Sequence, residues 1–403
     1  SNGLEKRPKL RFPGFDEPYR TITLGQIASL VNRTDPTSNA PIMMLSAGNG
    51  FIMQSEKYSR DNAGQSLKKY ILLKKGELAY NHGASKAKQY GCCYELTEDE
   101  ARIPYVYHCF KVSGAEHTPY VATALNNPKI DRQLKRLVSS SVRMDGLLNI
   151  SFDDYMSVIL HLPSLKEQTH IADFLKKLDE RITAQEKLVA SLKKHKRGLL
   201  RKVFAKLSDS CEKRNLKEVS VLFADGDWIE SKDQALDGIR LIQTGNVGYG
   251  VYIDKTQNAK YISETTFHRL NCLEIYDGDI LISRLPEPAG RACLLPKSTE
   301  RRITAVDCTV IRTDSSVIDR NYLLQFLCSE QYLKTVNSFL AGGTRQRISR
   351  KNLEGIEVPY PSIDEQRYWG SFLCKVDARI SNEEQRRSSL SRLRCFMLQQ
   401  LFI

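Results

Sequence analysis

The sequence has little of what marks secreted, metal-binding or membrane-spanning proteins. Its ten cysteines form no C-x-x-C pair and, apart from the adjacent Cys92 and Cys93, stand singly. This usage argues against a disulfide framework or a zinc site and favours a reducing compartment. The seven histidines are dispersed without the spacing of metal ligands. No apolar run approaches the roughly 18 residues that cross a membrane. We therefore expect a chain without a bound metal and without a membrane span.

Familiar signatures of catalysis are missing as well. The sequence contains no G-x-x-x-x-G-K-S/T segment, and the glycine-rich residues 245–250 do not have the order G-x-G-x-x-G. Glu230, Ser231 and Lys232 have the E-x-K spacing found in nucleases, but a triplet that short is far more typical of a solvated surface. The sequence therefore gives no sign of a translocating ATPase and disfavours a nuclease centre.

Positive charge, in contrast, is plentiful. Lysine and arginine number 60 against 47 aspartate and glutamate, which gives a net charge of +13. A balance of this size favours a polyanionic partner, most often nucleic acid. The length of 403 residues allows two or three domains with ample core.

The chain also repeats itself. Residues 162–204 align without a gap onto residues 360–402, and 15 of the 43 positions are identical. Ordinary composition would give roughly two or three identities. The identical pairs include Glu167 with Glu365 and Gln168 with Gln366. A repeat of this length indicates two copies of one unit, each ending in the same element.

The repeated element has the pattern of a long helix. Apolar residues recur at steps of four and three, which is typical of a coiled-coil seam. Both seams are interrupted at matching places, Gln185 with Glu383 and Lys196 with Arg394. Each helix of ~38 residues would be ~57 Å long. The predicted seam residues are Ile171, Leu175, Leu178, Ile182 and Leu192 in the first copy, and Leu373, Val376, Ile380 and Leu390 in the second.

A helix with a single apolar stripe needs a partner to be stable. The matched length, phase and interruptions favour packing of the two helices on each other as an antiparallel pair, which would hold two domains apart. The alternative is two unrelated amphipathic helices, each packed on its own domain.

The parts that precede the helices are alike, but more loosely. Residues 75–82 correspond to residues 277–284, and both have the pattern of a turn, a short buried strand and a polar exit. Strands are predicted at residues 240–244, 280–283 and 305–312, and helices at residues 130–138 and 321–340. Each part is therefore predicted to be a mixed α/β domain. A shared framework with diverged loops is how a protein binds two targets in one geometry.

At these residues the chain resembles the specificity (S) subunits of type I restriction–modification systems. The opening PKLRFPGF at residues 8–15 is similar to the usual start of that family. PSLKEQ at residues 163–168 and KRGLLRKVF at residues 196–204 are close to its central conserved region, and PSIDEQ at residues 361–366 begins the distal one. The distal copy differs in having Trp369 and Gly370 where the first has Ile171 and Ala172.

The resemblance implies an α+β fold. Two tandem mixed α/β target-recognition domains would be separated by two long, conserved helices packed as an antiparallel coiled coil with pseudo-two-fold symmetry. The implied limits are residues 1–161 for the first target-recognition domain, 162–210 for the central conserved region with its spacer helix, 211–359 for the second target-recognition domain and 360–403 for the distal conserved region.

The resemblance also implies a function and partners. The chain would be a non-catalytic, prokaryotic, cytoplasmic subunit whose domains each read one half of a bipartite, asymmetric site in double-stranded DNA. Its helices would set the spacer length and dock two modification subunits. S-adenosylmethionine would belong to those methyltransferase subunits, and ATP and Mg to restriction/translocase subunits. The Asn/Asp-Pro-Pro-aromatic motif of amino-methyltransferases is missing here, since Asn127, Pro128 and Lys129 do not match it.

Polar side chains on the diverged loops are the candidates for DNA contact. Lysine and arginine bind phosphates, and polar side chains read base edges. The candidates in the second domain are Arg284, Arg291, Thr344, Arg345, Gln346 and Arg347. Those in the first domain are Asn81, His82, Ser85, Lys86, Lys88, Ser140 and Arg143. The basic residues 193–197, Arg201 and Lys202 would meet the DNA spacer, an acidic patch of a modification subunit, or solvent alone.

Two other functions fit the same sequence. The chain could serve another combined restriction–methylation system, or it could be a coiled-coil scaffold whose basic charge meets a partner other than DNA. A stand-alone DNA enzyme is disfavoured by the missing motifs. Sequence-specific duplex binding that weakens steeply with salt distinguishes DNA readers from the scaffold.

Overall fold

The chain forms two compact units in its computed structural model, which describes residues 7–57, 64–85, 88–138, 148–340 and 346–403. Unit 1 comprises residues 1–184 and 387–403, and unit 2 comprises residues 185–386. No helix in the described part of the chain is long and apolar enough to cross a membrane.

Unit 1 is built from short strands, short helices and parts of both long helices. Its strands are β1 (Arg20–Thr23), β2 (Ala28–Leu30), β3 (Met43–Ser46), β4 (Gly50–Met53), β5 (Ile71–Lys74), β6 (Leu78–Asn81), β7 (Cys92–Glu95), β8 (Glu100–Ile103), β9 (His108–Val112) and β10 (Ile159–Leu162). Its helices are α1 (Gln54–Lys57), α2 (Thr118–Leu125), α3 (Pro128–Leu137), α4 (Phe152–Met156) and the first part of α5 (Leu165–Ser210).

Unit 2 has the same kinds of element. Its strands are β11 (Lys213–Asn215), β12 (Leu222–Asp225), β13 (Ile239–Ile242), β14 (Lys260–Ile262), β15 (Glu274–Ile275), β16 (Ile280–Ser283), β17 (Ala292–Leu294), β18 (Arg302–Thr304), β19 (Cys308–Arg312) and β20 (Glu357–Pro359). Its helices are α6 (Glu264–Leu270), α7 (Arg320–Leu327), α8 (Glu330–Ser338), α9 (Arg350–Glu354) and the first part of α10 (Ile363–Leu401).

Local capping explains where the short helices begin. Asn127 accepts a hydrogen bond from the backbone of Lys129 and is followed by Pro128, so α3 starts where the sequence supplies both start signals. The helical pattern predicted over residues 321–340 divides into α7 and α8. Ser329 caps α8 there by accepting a hydrogen bond from the backbone of Tyr332. A capping serine thus starts a new helix inside one apolar pattern.

The main sheet has one strand order in both units. In unit 1 the order is β2-β9-β6-β7, and in unit 2 it is β12-β19-β16-β17, with antiparallel neighbours throughout. Each unit also pairs its first strand with the strand before the long helix, as β1 with β10 and β11 with β20. The loose sequence correspondence of the two parts therefore reflects a shared framework.

The second sheet is related in the same way, with one difference. Unit 2 has the order β14-β13-β18-β15, in which Arg240 of β13 faces Arg302 of β18 in a parallel pairing. In unit 1 the pairs β3-β4 and β5-β8 are joined by a single parallel bridge between Ile42 and Arg102. The divergence between the units is thus greatest at the second sheet and in the loops.

The long helices pack against each other inside each unit. In unit 1, Ile171 and Leu175 near the start of α5 share a buried cluster with Leu401 and Phe402 at the end of α10. In unit 2, Leu373 near the start of α10 shares a cluster with Val203 and other residues near the end of α5. The start of one helix meets the end of the other, so the predicted antiparallel arrangement is confirmed.

The predicted seam residues fall into two groups. Those that are buried are Ile171, Leu175, Leu178, Leu373 and Ile380. Those that are half-buried are Ile182, Leu192, Val376 and Leu390.

The interruptions of the seam are polar contacts. In unit 1, Arg394 forms an ion pair with Asp179. In unit 2, Lys196 Nζ lies 2.5 Å from Asp377 Oδ1. The two pairs are equivalent in the repeat, because residue 196 aligns with 394 and residue 179 with 377. The polar residues therefore fix the register of the helices, which is a known use of polar groups in coiled coils.

The repeated Glu-Gln motif also has a structural role. Gln168 is fully buried, accepts a hydrogen bond from the backbone N–H of His117 and donates to the carbonyl of Pro163. Gln366 is equally buried and makes the same pair of bonds, from the N–H of Asp319 and to the carbonyl of Pro361. His117 and Asp319 are the N-cap residues of α2 and α7. Each glutamine therefore ties a domain helix to the start of a long helix.

Candidate nucleic-acid interface

One end of the main sheet in unit 2 gathers several of the predicted DNA-contacting residues. There β12 and β16 end and β19 begins, with Asp225 opposite Thr309 and Ser283 opposite Cys308. Arg284 follows β16 directly. Loops that leave this end carry the polar residues expected to read DNA.

Arg284, which the sequence predicts to contact DNA, lies inside unit 2. It is only 4% exposed, donates through Nη2 to the carbonyl of Val306 at 2.5 Å and forms an ion pair with Asp225 at 3.2 Å. Burial lowers the pKa of Arg284. The sequence did not reveal this because the chain returns over the strand exit, where the N–H of Ile348 bonds to the carbonyl of Arg284.

The guanidinium of Arg291 is also bonded within unit 2. Its guanidinium donates to four backbone carbonyls at distances between 2.7 and 3.1 Å, and burial lowers its pKa. A planar group with five donors can satisfy several carbonyls at once. Arg291 thus holds together the loops on both sides of it. The acceptors belong to Thr244, Val247, Leu285 and Pro288.

Gln346 and Arg347 are exposed beside the buried Arg284. Arg347 has 43% of its side chain exposed, and its Nη2 lies 3.1 Å from Asp307 Oδ1. Asp307 also accepts the backbone N–H of Arg284 through its carbonyl at 2.9 Å. These two residues therefore keep the exposure that base or phosphate contact requires. Thr344 and Arg345 lie outside the described residues.

The corresponding position in unit 1 is His82, which follows β6. It is 4% exposed, and its ring nitrogens lie 2.8 Å from the carbonyl of Leu148 and 2.9 Å from that of Val106. The N–H of Leu148 bonds in turn to the carbonyl of His82. Both ring nitrogens of His82, a residue that the sequence predicts to contact DNA, are thus bonded inside the unit, and the returning chain covers this strand exit as it does at Arg284.

The other candidates of unit 1 lie around the same strand exit. Asn81 is half-buried and accepts the N–H of Gly83 at 2.9 Å. Ser85 and Lys88 close a tight loop, in which the N–H of Lys88 bonds to Ser85 Oγ at 3.0 Å. Lys88 Nζ donates to the carbonyl of Asn126 at 2.7 Å. Ser85 is exposed and Lys88 half-buried, so both stay candidates. Lys86, Ser140 and Arg143 lie outside the described residues.

Sequence reasoning missed Trp228. This residue, one of two tryptophans in the chain, is 69% exposed. Its neighbour Asp227 bonds through its carbonyl to the N–H of Val306, whose own carbonyl accepts from Arg284. Trp228 therefore lies next to the strand exit that carries Arg347. A rare tryptophan in a segment without apolar periodicity was the available signal, since such a side chain has no core to enter.

The basic end of α5 is partly used within unit 2. Lys193 Nζ lies 2.5 Å from Glu384 Oε1, and Lys196 is paired with Asp377. The remaining basic residues there are exposed: Lys194, His195, Arg197, Arg201 and Lys202. Their exposure leaves them accessible to a polyanion or to an acidic surface.

We expect the substitutions Arg347→Ala and Arg284→Ala to have different effects. Arg347→Ala should weaken specific DNA binding about tenfold or more, since a good arginine–base contact contributes ~1–3 kcal/mol, and it should leave the unfolding midpoint almost unchanged. Arg284→Ala should lower stability by ~2–3 kcal/mol, because buried partners lose their donor. Urea unfolding and duplex binding, measured on both variants, check this expectation. Loss of stability in Arg347→Ala would contradict it.

The chain is similar to known proteins in its sequence and in its fold. Residues 208–392 match the model of the type I restriction modification DNA specificity domain. The resemblance to type I specificity subunits is thereby confirmed. The chain is 23% identical over 273 residues to the specificity subunit of the type I restriction enzyme MjaVIII of Methanocaldococcus jannaschii, covering 63% of this chain and 64% of that protein. It is 22% identical over 240 residues to the putative MjaX specificity subunit of the same organism, covering 57% and 55%.

Solved structures show the specificity-subunit fold over nearly the whole chain. The crystal structure of a type I restriction–modification S subunit from M. genitalium superposes with a TM-score of 0.58 at 17% identity, covering 99% of both chains. A chain from a structure on complex assembly and conformational transition of the type I R-M system gives 0.57 at 18% identity, covering 96% of this chain and 98% of that one. The chain spans just under two thirds of the first curated relative and 55% of the second.

Proposed function

We propose that this chain is the DNA sequence-recognition subunit of a type I restriction–modification complex. Each target-recognition domain, residues 1–161 and 211–359, would read one half of a bipartite, asymmetric site. The helices of residues 162–210 and 360–403 would set the spacer length and dock modification subunits. The chain itself would perform no catalysis, in the cytoplasm of a prokaryote.

One observation carries this proposal. The two units share a strand order while the loops at the end of the main sheet differ in sequence. A protein that recognises two different half-sites needs a constant framework that carries variable contact residues. The net charge of +13 supplies the general attraction to phosphates. Gln346, Arg347 and Trp228 are the exposed residues best placed for base contact in unit 2.

The partners follow from what the chain would not do itself. S-adenosylmethionine would be bound by two modification subunits, and ATP and Mg by restriction/translocase subunits. In the described residues, no group of three or more His, Cys, Asp or Glu side chains is placed to hold a metal ion.

The proposal is tested by sequencing the methylome of the host with and without this gene. We expect one bipartite adenine-methylation motif to disappear on deletion and to return when the intact gene is supplied. Because each domain would read one half of that motif, a complementing gene with Arg347→Ala should restore it only in part. A methylome that does not change on deletion would overturn the proposal.

Binding of duplex DNA separates the proposal from a scaffold that meets another partner. The complex purified with its modification subunits should prefer a duplex with the methylated motif over a scrambled one. The logarithm of its binding constant should fall linearly with the logarithm of the salt concentration, with a slope of about −0.9 for each phosphate contacted. Equal binding of both duplexes would favour the scaffold.

A further inference from the structure

The start of α5 is covered by the segment that opens the chain. Arg11 donates to both carboxylate oxygens of Glu167, at 2.9 and 2.8 Å, and Glu167 is fully buried. The ring of Phe12 meets His170 edge-on at 4.5 Å and Phe174 at 5.4 Å. We call Glu167, His170 and Phe174 the covered face. It binds a non-helical segment that carries an arginine next to an aromatic residue and turns at Pro13 and Gly14.

The start of α10 has an equivalent face that no described segment of the chain covers in this way. Glu365, Tyr368 and Phe372 align with the three residues of the covered face, and we call them the open face. Tyr368 is 62% exposed and Phe372 38% exposed. Glu365 is half-buried and has no ion pair in the part of the chain that the structure describes. Trp369 lies between the two rings, 5.1 Å from Tyr368 and 6.1 Å from Phe372.

Chain connectivity explains the difference. In unit 1 the residues before β1 are free to cross the covered face, and Leu10 bonds on its way to the carbonyl of Gln400. In unit 2 the corresponding strand β11 follows α5 after only Cys211 and Glu212. No segment precedes β11 that is long enough to repeat the cover. The helix start keeps the acidic and aromatic side chains, but the segment that leads into β11 does not cross them.

We infer that the open face binds a non-helical segment of a partner subunit that carries an arginine next to an aromatic residue. The charge of Glu365 and the exposed rings match the chemistry that residues 10–15 provide on the covered face. A second copy of this chain is a poorer occupant, because its own Arg11 would have to leave a buried carboxylate, which is costly. The inference rests on the proposed assembly with other subunits.

A peptide with the sequence of residues 8–17, PKLRFPGFDE, is the probe. The dye-labelled peptide should bind the full chain in a fluorescence anisotropy titration with a Kd on the order of 100 µM or below. The substitutions Glu365→Gln and Phe372→Ala should each weaken binding about tenfold, as should alanine at the peptide's arginine. Asp364→Asn is the matched control, since Asp364 is an exposed carboxylate one residue away, and should bind as the unmodified chain does.

Three results would overturn the inference. These are no saturable binding, binding that ignores Glu365 and Phe372, and a concentration-dependent dimer of the chain that Glu365→Gln dissolves. The last would identify a second copy as the occupant, and sedimentation velocity detects it. The same variants should keep specific DNA binding. Absence of peptide binding to the unmodified chain, with its DNA preference intact, therefore counts against the docking segment alone, whereas a chain without DNA preference counts against the proposed function.

Discussion

Removing one heptad from both long helices is expected to abolish binding to the original DNA site while each unit stays folded. The deletions are residues 187–193 of α5 and the repeat-equivalent residues 385–391 of α10. Both leave the ion pairs Asp179–Arg394 in unit 1 and Lys196–Asp377 in unit 2 in place. The pair Lys193–Glu384 is lost, but it is solvent-exposed and contributes little.

The expected loss follows from the geometry of two helices. Seven residues shorten an α-helix by ~10.5 Å, which is the length of about three base pairs. Three base pairs also turn the duplex by about 100°, at 10–10.5 base pairs per turn. If the helices set the gap, one half-site no longer faces its reader. Affinity for the original site should then fall about a hundredfold or more, which is the usual distance towards non-specific binding.

Titration of duplexes whose gap varies one base pair at a time is the measurement. The double deletion should lose the original optimum, and a single deletion in α5 should lose every optimum, because α10 then no longer matches it. Circular dichroism and urea unfolding control for the fold. A double-deletion variant with an unchanged preferred gap would rule out the helices as the element that sets the spacer.

Much of the framework could be predicted from the sequence, because it is written in long-range periodicity. The heptad stripe predicted two long helices, and the structure has them at Leu165–Ser210 and Ile363–Leu401. The correspondence of residues 75–82 with 277–284 identified β6 and β16, which occupy the same place in their sheets. The spacing of apolar residues and the alignment of the two copies both reflect which side of a helix or strand is buried. They depend little on how the loops pack.

The inward direction of single polar residues could not be predicted. His82 and Arg284 follow a strand, where a polar side chain normally faces solvent, but in both units the returning chain covers that exit. Arg291 is taken up by carbonyls of loops distant in sequence. Such contacts depend on how loops meet in space. Exposure of Arg347 and Trp228 is likewise a tertiary property.

The polar interruptions of the helices show a different limit. In the sequence, Lys196 and Arg394 interrupt an apolar stripe, and Asp179 and Asp377 are identical positions of the repeat. The structure joins them as two equivalent ion pairs. The repeat contains this information. When two copies of a helix pack antiparallel, a position near the start of one copy meets a position near the end of the other, and the same contact forms a second time with the copies exchanged. Opposite charges at such positions can therefore be used to find the register from sequence.

The buried glutamines of the repeated motif should matter for stability, each in its own unit. Gln168→Ala removes the acceptor of the His117 N–H and the donor to Pro163, and it also removes the 2.6 Å bond from Nε2 to the carboxylate of Glu116. Buried groups left without a partner cost ~1–3 kcal/mol each, so we expect a loss of ~2–4 kcal/mol. Gln366→Ala leaves the N–H of Asp319 and the carbonyl of Pro361 unpaired. It removes no bond to a carboxylate of the kind that Gln168 makes to Glu116. Its effect should be somewhat smaller.

Hydrogen exchange distinguishes the two variants because it reports on each unit separately. Gln168→Ala should reduce protection in α2, which His117 caps, and leave α7 unchanged; Gln366→Ala should do the reverse. Thr169→Ala is the control, since its hydroxyl only donates to the carbonyl of Leu165 in its own helix and should change stability by less than ~0.5 kcal/mol. If Gln168→Ala costs no more than Thr169→Ala, the motif does not tie the domain helix to the long helix.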